Sequence, residues 1–395
     1  MEGYAGEWLQ LLIRWIHLIT GIAWIGSSFY FVFLDNSLLP PAKQEDADAG
    51  VGGELWAVHG GGFYHVQKFR IAPAALPEPL HWFKWEAYST WLSGFALFVV
   101  MYYLHAGTYM IDRNVADLTP SQAVGISVAL LGGGWLFYDQ LCRRLGLARE
   151  RILAIAMIAF VALTAWGLAH VYSGRAMFLQ VGAMLGTIMA WNVFFVIIPS
   201  QRKLVDAKER GEAPDPVFGL RGKQRSVHNN YFTLPVLFIM ISNHYPMTFG
   251  HPQAWLVLIA ILLLAAFVRH FFNLRHRGRT VWAIPVTAAV ATLVLAVAIA
   301  PRPPDAAPSY TFAEVQGIVA MRCATCHAEK PTQAGFAVAP KGLLLDSPGL
   351  IVANAAMINQ QAVVTRTMPI GNLTGMTDAE RATLAAWIRA GAPAR

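Results

Sequence analysis

The sequence predicts an all-α protein: a polytopic membrane helix bundle with about eight transmembrane helices, followed by a small soluble all-α domain. Charged residues make up only 13% of the 395 residues, whereas soluble domains average about 25%. The mean hydropathy is +0.44, and the apolar residues lie in stretches long enough to cross a bilayer. Residues 311–395, by contrast, have an ordinary soluble composition.

Each predicted span is a run of roughly 20 mostly apolar residues. The sixth span is the weakest, because it contains Pro235 and Asn243. The eight spans cover approximately residues 9–33, 85–105, 121–141, 152–172, 176–198, 229–247, 254–272 and 280–300. Residues 1–300 are therefore the predicted membrane domain, and the Pro-rich stretch 301–310 is a predicted semi-rigid linker to the domain at 311–395.

Basic residues predict the orientation of the membrane domain. Seven connections join the eight predicted spans. The first, third, fifth and seventh together hold 19 Lys and Arg residues, whereas the second, fourth and sixth together hold two. The basic connections are residues 34–84, 142–151, 199–228 and 269–279, and the others are 106–120, 173–175 and 248–253. Because positive loops stay in the cytoplasm, the N-terminus and the C-terminal domain are predicted to be periplasmic in a bacterial inner membrane. The charge of +7 is spread over these loops and does not indicate nucleic-acid binding.

The stretch RCATCHAEK contains the pattern C-x-x-C-H at Cys323, Cys326 and His327. In this pattern two thiols form thioethers with the vinyl groups of a haem, and the adjacent histidine ligates the iron. The alternatives are a redox dithiol or half of a zinc site, but residues 311–395 contain no further cysteine for a zinc ion. The pattern therefore predicts one covalently bound haem c with His327 as an axial ligand.

A methionine loop downstream is predicted to supply the second axial ligand. The stretch TMPIGN places Met368 beside Pro369, and a thioether ligand raises the reduction potential of a haem. Met357 is the competing sulfur, but it lies in the apolar run AAMI and is predicted to be a core residue.

Two capping boxes frame the C-terminal domain. Thr311 and Glu314 predict a helix that leads into the C-x-x-C-H, and Thr377 and Glu380 predict a last helix through Trp387. The domain resembles the class I cytochromes c in the order of its parts. These are a first helix, the C-x-x-C-H, a methionine loop and a last helix. The resemblance covers about residues 311–393.

Histidines in the outer half of the spans are candidate ligands of a second haem. Ionisable residues inside spans are costly and usually functional, and neutral imidazole is a common haem ligand. The candidates for a haem b in the bundle are His17, His105, His170 and His244, and Arg14 lies one turn from His17. The alternative is that each histidine reaches the membrane interface or bonds to a neighbouring helix.

A second polar cluster is predicted at the cytoplasmic face. Residues 53–73 are predicted to form a short hairpin around Gly60–Gly62, and HNNYF begins the sixth span. Amides and aromatic rings of this kind can hold a flat polar heterocycle. The candidate substrate or catalytic residues here are His59, His65, His228, Asn229, Asn230 and Tyr231. The alternative is that Asn229 or Asn230 caps a helix within an interfacial aromatic belt.

Fingerprints of other enzyme classes are missing from the sequence. It contains no G-x-G-x-x-G after a strand, no Walker loop and no H-E-x-x-H. The sequence therefore does not indicate a nicotinamide-dependent enzyme, a nucleoside triphosphatase or a zinc peptidase.

The stretches WIHLITGIAWIGSSFYFVFLD and HNNYFTLPVLFIMISNHYP resemble the membrane-bound urate oxidases, also called urate hydroxylases. Members of that family pair an eight-span region with a C-terminal cytochrome c, so the resemblance covers the whole chain. It implies oxidation of urate to 5-hydroxyisourate with oxygen from water and without hydrogen peroxide. It also implies that electrons leave through haem c to a downstream cytochrome c or terminal oxidase of the respiratory chain.

Two questions stay open at this level. The substrate site lies either at the cytoplasmic cluster, with His59, His65 or His228 as the base, or near Arg14, with His17 or His244 as the base. The cytoplasmic location would require an intermediate haem b, because the hydrocarbon layer is roughly 30 Å thick. The alternative function is a non-enzymatic membrane subunit that relays electrons from quinol to a terminal oxidase.

Overall fold

The structure is helical apart from one β-hairpin. It is a computed structural model that describes residues 2–300 and 310–394. A helix bundle over the first range and a small helical domain over the second confirm the predicted all-α class. Most of the predicted linker, residues 301–309, lies outside the described residues.

Eight long helices lie where the sequence predicts spans. They are α1 (Glu2–Ser37), α3 (Trp85–Phe98), α5 (Pro120–Leu145), α6 (Glu150–Ala169), α7 (Gly174–Asn192), α9 (Pro216–Ser242), α11 (Ala254–His276) and α12 (Ala283–Ala298). The shorter helices are α2 (Gln44–Asp48), α4 (Ala106–Tyr109), α8 (Ile198–Glu209) and α10 (Pro246–Phe249). Two π-turns, Val99–Tyr103 after α3 and Val193–Ile197 between α7 and α8, continue these helices.

Five of these helices are long and apolar enough to cross a membrane: α1, α5, α6, α11 and the rod formed by α7 and α8. Helix α12 is shorter and also apolar. Large apolar side chains on α1 and α12 face outward, among them Leu11, Ile22, Leu293 and Val297, each more than half exposed. In water such surface is unfavourable by about 25 cal/mol per Å², whereas lipid chains can cover it. The chain is therefore a membrane protein, and the full set of eight crossings stays a prediction.

Helix α7 is the central helix of the bundle. Met177, Phe178 and Met184 on this helix are fully buried, and α7 packs against both α5 and α9. A Cβ atom added to Gly182 would lie 2.4 Å from Cγ2 of Ile239 on α9. Only glycine permits this close approach, which is the usual role of small residues between membrane helices.

Three connections gather at one end of the bundle, which we call the docking end. They are residues 104–119, 170–173 and 243–253. The backbone N–H of Ser173 donates to the carbonyl oxygen of Met110 at 3.0 Å, which joins two of them. A Cβ on Gly174 would lie 2.1 Å from the carbonyl oxygen of Phe249. The third connection, residues 243–253, therefore packs tightly against the start of α7.

The predicted hairpin is present, in the connection at the opposite end. Strands β1 (Val51–His59) and β2 (Gly62–Phe69) pair antiparallel. Gly60 and Gly61 form the turn with φ values of +57° and +81°, a left-handed conformation that favours glycine. The Trp56 ring stacks on the His65 ring with a centroid distance of 4.2 Å.

The C-terminal domain packs four helices around one apolar core. These helices are α13 (Phe312–Arg322), α14 (Pro348–Ala353), α15 (Ala355–Ile358) and α16 (Asp378–Arg389). Both predicted capping boxes are present, at Thr311 with Glu314 and at Thr377 with Glu380. Trp387 is completely buried in the core of this domain.

The C-terminal domain lies against the docking end by close backbone contact. A Cβ on Gly371 would lie 2.7 Å from the carbonyl oxygen of Thr108, and a Cβ on Gly250 would lie 2.5 Å from that of Thr365. Glycines at these two positions let the domain approach the bundle without a side chain between them. The contact involves the loop that follows Met368, which is the predicted axial ligand.

Replacing Gly250 by Ala should loosen this contact. Gly250 has an ordinary φ of −84°, so the added methyl group strains its contacts with the carbonyl oxygens of Thr365 and Pro246 rather than the φ angle. Such overpacking typically costs 1–3 kcal/mol, so amide hydrogen exchange in residues 104–119 and 366–376 should accelerate about tenfold. Gly317→Ala on α13 is the matched control, since its Cβ meets nothing within 4 Å. Unchanged exchange in Gly250→Ala would show that the domain does not dock here.

Candidate functional site

The C-x-x-C-H segment turns sharply at the end of α13. The backbone N–H groups of Cys326 and His327 both donate to the carbonyl oxygen of Cys323, at 3.1 and 2.9 Å. The His327 Nδ1 atom lies 3.1 Å from the carbonyl oxygen of Leu343. Because a carbonyl only accepts, Nδ1 carries the proton, and Nε2 is left with the lone pair that an iron ligand needs.

The two thiols fit haem attachment better than either alternative. Burial raises the pKa of Cys323 to about 11, and burial also raises the pKa of Cys326. Redox-active dithiols require the opposite shift, because the thiolate is the reacting species. Within residues 2–300 and 310–394, no group of three or more His, Cys, Asp or Glu side chains could hold a metal ion, so a zinc site also lacks support.

The loop around Met368 is held by a buried arginine. Arg381 on α16 is 7% exposed and donates from Nη1 to the carbonyl oxygens of Met368, at 2.9 Å, and Ala362. The backbone N–H of Met368 donates to the carbonyl oxygen of Gln361 at 2.9 Å. The prediction that Met357 is a core residue is wrong, since it is 48% exposed. Ala355 and Ile358 occupy the inner face of that helical turn, which leaves Met357 on the outer face.

A cavity of about 420 Å³ lies where the C-terminal domain meets the docking end. Both domains contribute side chains to its wall, including Tyr109, Asp112, Arg175, Phe249, Arg366 and Arg381. Its volume is in the range typical of small-molecule sites.

The four histidines proposed as haem b ligands do not form one group. His17 is half-buried, and its Nδ1 lies 3.1 Å from the Thr90 carbonyl oxygen. The other three, His105, His170 and His244, are exposed. No two of the four are hydrogen-bonded or stacked on each other. The structure therefore does not bring the four side chains together, and a haem b in the bundle stays a prediction.

Arg14 also lies outside the cavity. Its side chain is exposed, and Nη2 lies 3.0 Å from Sδ of Met101.

The predicted cluster HNNYF lies inside a helix rather than at its start. Helix α9 begins at Pro216 with Asp215 as its N-cap, so the prediction that Asn229 or Asn230 caps the helix is wrong. Hydropathy marks only the apolar part of a helix, whereas Asp followed by Pro is the stronger start signal.

His228 and Asn229 hold α9 against its neighbours. His228 Nδ1 lies 2.7 Å from the hydroxyl of Tyr138, and its Nε2 lies 3.2 Å from the carboxylate of Glu150. Asn229 accepts a hydrogen bond from Asn192 at 3.0 Å. These side chains therefore bond α9 to α5, α6 and α7.

Asn230 and Tyr231 join α9 to α11. Asn230 donates to Asn273 at 3.1 Å, and the hydroxyl of Tyr231 lies 2.7 Å from Nδ1 of His270. The predicted residues of the sixth span are thus joined to other helices. On the hairpin, His59 is exposed and His65 bonds to Glu54 at 2.8 Å, so the two histidines are not hydrogen-bonded to the α9 group.

Sequence reasoning missed a buried ion pair beside this network. Asp139 on α5 accepts from Arg225 at 2.7 Å and from Arg143 at 2.6 Å. Asp139 and Arg225 are both buried. The available signal was an acidic residue inside a predicted span, which is costly unless it is paired.

Comparisons with known proteins agree with the two-part architecture. The urate oxidase N-terminal family matches residues 3–300, and the cytochrome c family matches residues 312–392. No curated protein and no solved structure matches the chain. The two family matches indicate a urate-oxidising, cytochrome-linked oxidoreductase that uses haem. Because the first match covers most of the chain, this protein belongs to the urate oxidase N-terminal family and carries a cytochrome c domain at its C-terminus.

Proposed function

We propose that this protein oxidises urate to 5-hydroxyisourate at the bacterial inner membrane and passes the electrons through haem c to the respiratory chain. The observation that carries the proposal is the contact between the two family-matched domains. The cytochrome c domain lies on the membrane domain through the loop next to Met368. Electrons removed in or beside the bundle then have a short path to the haem.

The proposed reaction balances without molecular oxygen. Urate and water give 5-hydroxyisourate, two protons and two electrons, with a new bond between C5 of urate and the oxygen of water. Because dioxygen takes no part, no hydrogen peroxide forms. The electrons leave in two steps and continue to a downstream cytochrome c or terminal oxidase.

The residues of the C-terminal domain would hold the haem. Cys323 and Cys326 would form the two thioethers, with His327 and Met368 as axial ligands. A haem bound in this way supplies a one-electron acceptor of raised potential. The Leu343 carbonyl orients the imidazole of His327, and Arg381 holds the backbone of Met368.

The periplasmic location of the cytochrome domain is supported by one argument in two steps. The docking end contains the connections that are poor in Lys and Arg, and such connections face away from the cytoplasm. The cytochrome domain contacts these same connections at Thr108 and Gly250.

Urate should reduce the haem in the absence of oxygen. When the holoprotein in detergent receives urate under argon, the ferrous haem α-band should appear, and half an equivalent of urate should suffice because each molecule gives two electrons. Xanthine is the control and should leave the spectrum unchanged. A haem that dithionite reduces but urate does not would contradict the proposal, and reduction by quinol alone would favour the electron-relay alternative. A pyridine haemochrome assay on the same sample separates haem c from any haem b.

Replacing Met368 by Ala should lower the reduction potential of the haem while leaving it attached. The thioether of Met368 favours the ferrous state, whereas the thioethers of Cys323 and Cys326 do not depend on it. Potentiometric titration measures the shift, and haem staining of the denatured protein measures attachment. Met357→Ala is the matched control, because Met357 lies on the outer face of its helix. An unchanged potential in Met368→Ala would refute the axial assignment.

A further inference from the structure

The cavity between the two domains has a positively charged wall. Three arginines and two aspartates line it: Arg175, Arg366, Arg381, Asp112 and Asp378. Arg366 donates to Asp378 at 2.8 Å, and Asp112 lies near enough to Arg381 for their charges to interact. One positive charge is therefore left without an acidic partner.

That remaining charge is on Arg175, in the first turn of α7. Among the described residues, Arg175 makes no ion pair and no side-chain hydrogen bond, and its guanidinium lies 5.3 Å from the centre of the Phe249 ring. The N-terminal end of α7 adds partial positive charge at the same place. An anion that enters the cavity would therefore meet an unpaired guanidinium beside an aromatic face.

Urate has the chemistry that this wall recognises. It is a flat heterocycle and a monoanion at neutral pH, with carbonyl oxygens and N–H groups along its edges. An arginine fork binds such an edge through two parallel hydrogen bonds. The half-buried ring of Tyr109, which also lines the cavity, offers an apolar surface to a planar molecule. A volume of about 420 Å³ leaves room for water beside the bound molecule.

We propose that this cavity is the urate site, in which Arg175 binds the purine anion on the same side of the membrane as haem c. The inference rests on the proposed function and adds the location of its substrate. Arg381 connects the two centres, because it lines the cavity and also donates to the carbonyl oxygen of Met368. An electron leaving urate here does not cross the hydrocarbon layer.

The oxidation step balances within this site. Water would add to C5 of bound urate with loss of two protons and two electrons, and a haem held by Cys323, Cys326, His327 and Met368 would supply a one-electron acceptor that an external acceptor reoxidises between the two transfers. Asp112 is the carboxylate in the wall that can accept a proton. Burial raises the pKa of Asp112, against the effects of the Asn114 N–H and of Arg381, and a raised pKa makes a carboxylate a better base.

Sealed membrane vesicles test the side from which urate enters. Anionic urate crosses a bilayer slowly, so it is added to two vesicle populations that differ in whether protease can reach the cytochrome domain. Urate should reduce the haem at once where the domain is accessible, and only after detergent where it is enclosed. The reverse pattern would overturn the cavity while leaving urate oxidation intact. Failure to reduce in detergent as well would overturn the proposed function itself.

A binding measurement tests Arg175 without turnover. Equilibrium dialysis of radiolabelled urate against dithionite-reduced holoprotein reports affinity alone, because reduced haem accepts no electron. Loss of a charged hydrogen bond should raise the Kd of Arg175→Gln about 10- to 100-fold. Arg113→Gln is the matched control: an exposed arginine in the same connection as Asp112 that does not line the cavity. Wild-type affinity in Arg175→Gln, or an equal loss in Arg113→Gln, would overturn the assignment.

Discussion

Close contact between the two domains is the constraint on which the rest of the structure depends. Gly371 lies against Thr108, and Gly250 lies against Thr365, without side chains between them. A larger residue at either position would separate the cytochrome domain from the bundle. The contact brings the loop after Met368 to the docking end, and it also forms a partly open cavity to which both domains contribute residues.

The polar network between α5, α6, α7 and α9 has a different role. Tyr138, Asn192, His228 and Asn229 are joined by hydrogen bonds from helix to helix. In a bilayer, where apolar contacts between helices gain nothing over contacts with lipid, such bonds and close packing hold a bundle together. The network joins α7 to its neighbours, and the first turn of the same helix carries Arg175 into the cavity wall. The candidate catalytic role of His228 and Asn229 stays a prediction.

Local signals predicted the helices, hairpin and capping boxes because each depends on a short stretch of sequence. Long apolar runs, the turn at Gly60–Gly61 and the box at Thr377 with Glu380 are all of this kind. The sequence placed the start of α9 too late, because the first turns of this helix are polar and do not raise the local hydropathy. The cavity could not be predicted from the sequence. Asp112, Arg175 and Arg381 are far apart in the chain, and they line one cavity only because the two domains are in contact.

The number of electrons explains why a cavity between two domains suits this chemistry. Under the proposed reaction, urate loses two electrons, but a single haem accepts only one before it must be reoxidised. The one-electron-oxidised purine must therefore remain bound during that interval. Under the proposal, a site formed between two domains would retain it, because Arg175 from the bundle and Arg381 from the cytochrome domain both line the cavity. Under the proposal, the tight glycine contacts would therefore serve both electron transfer and retention.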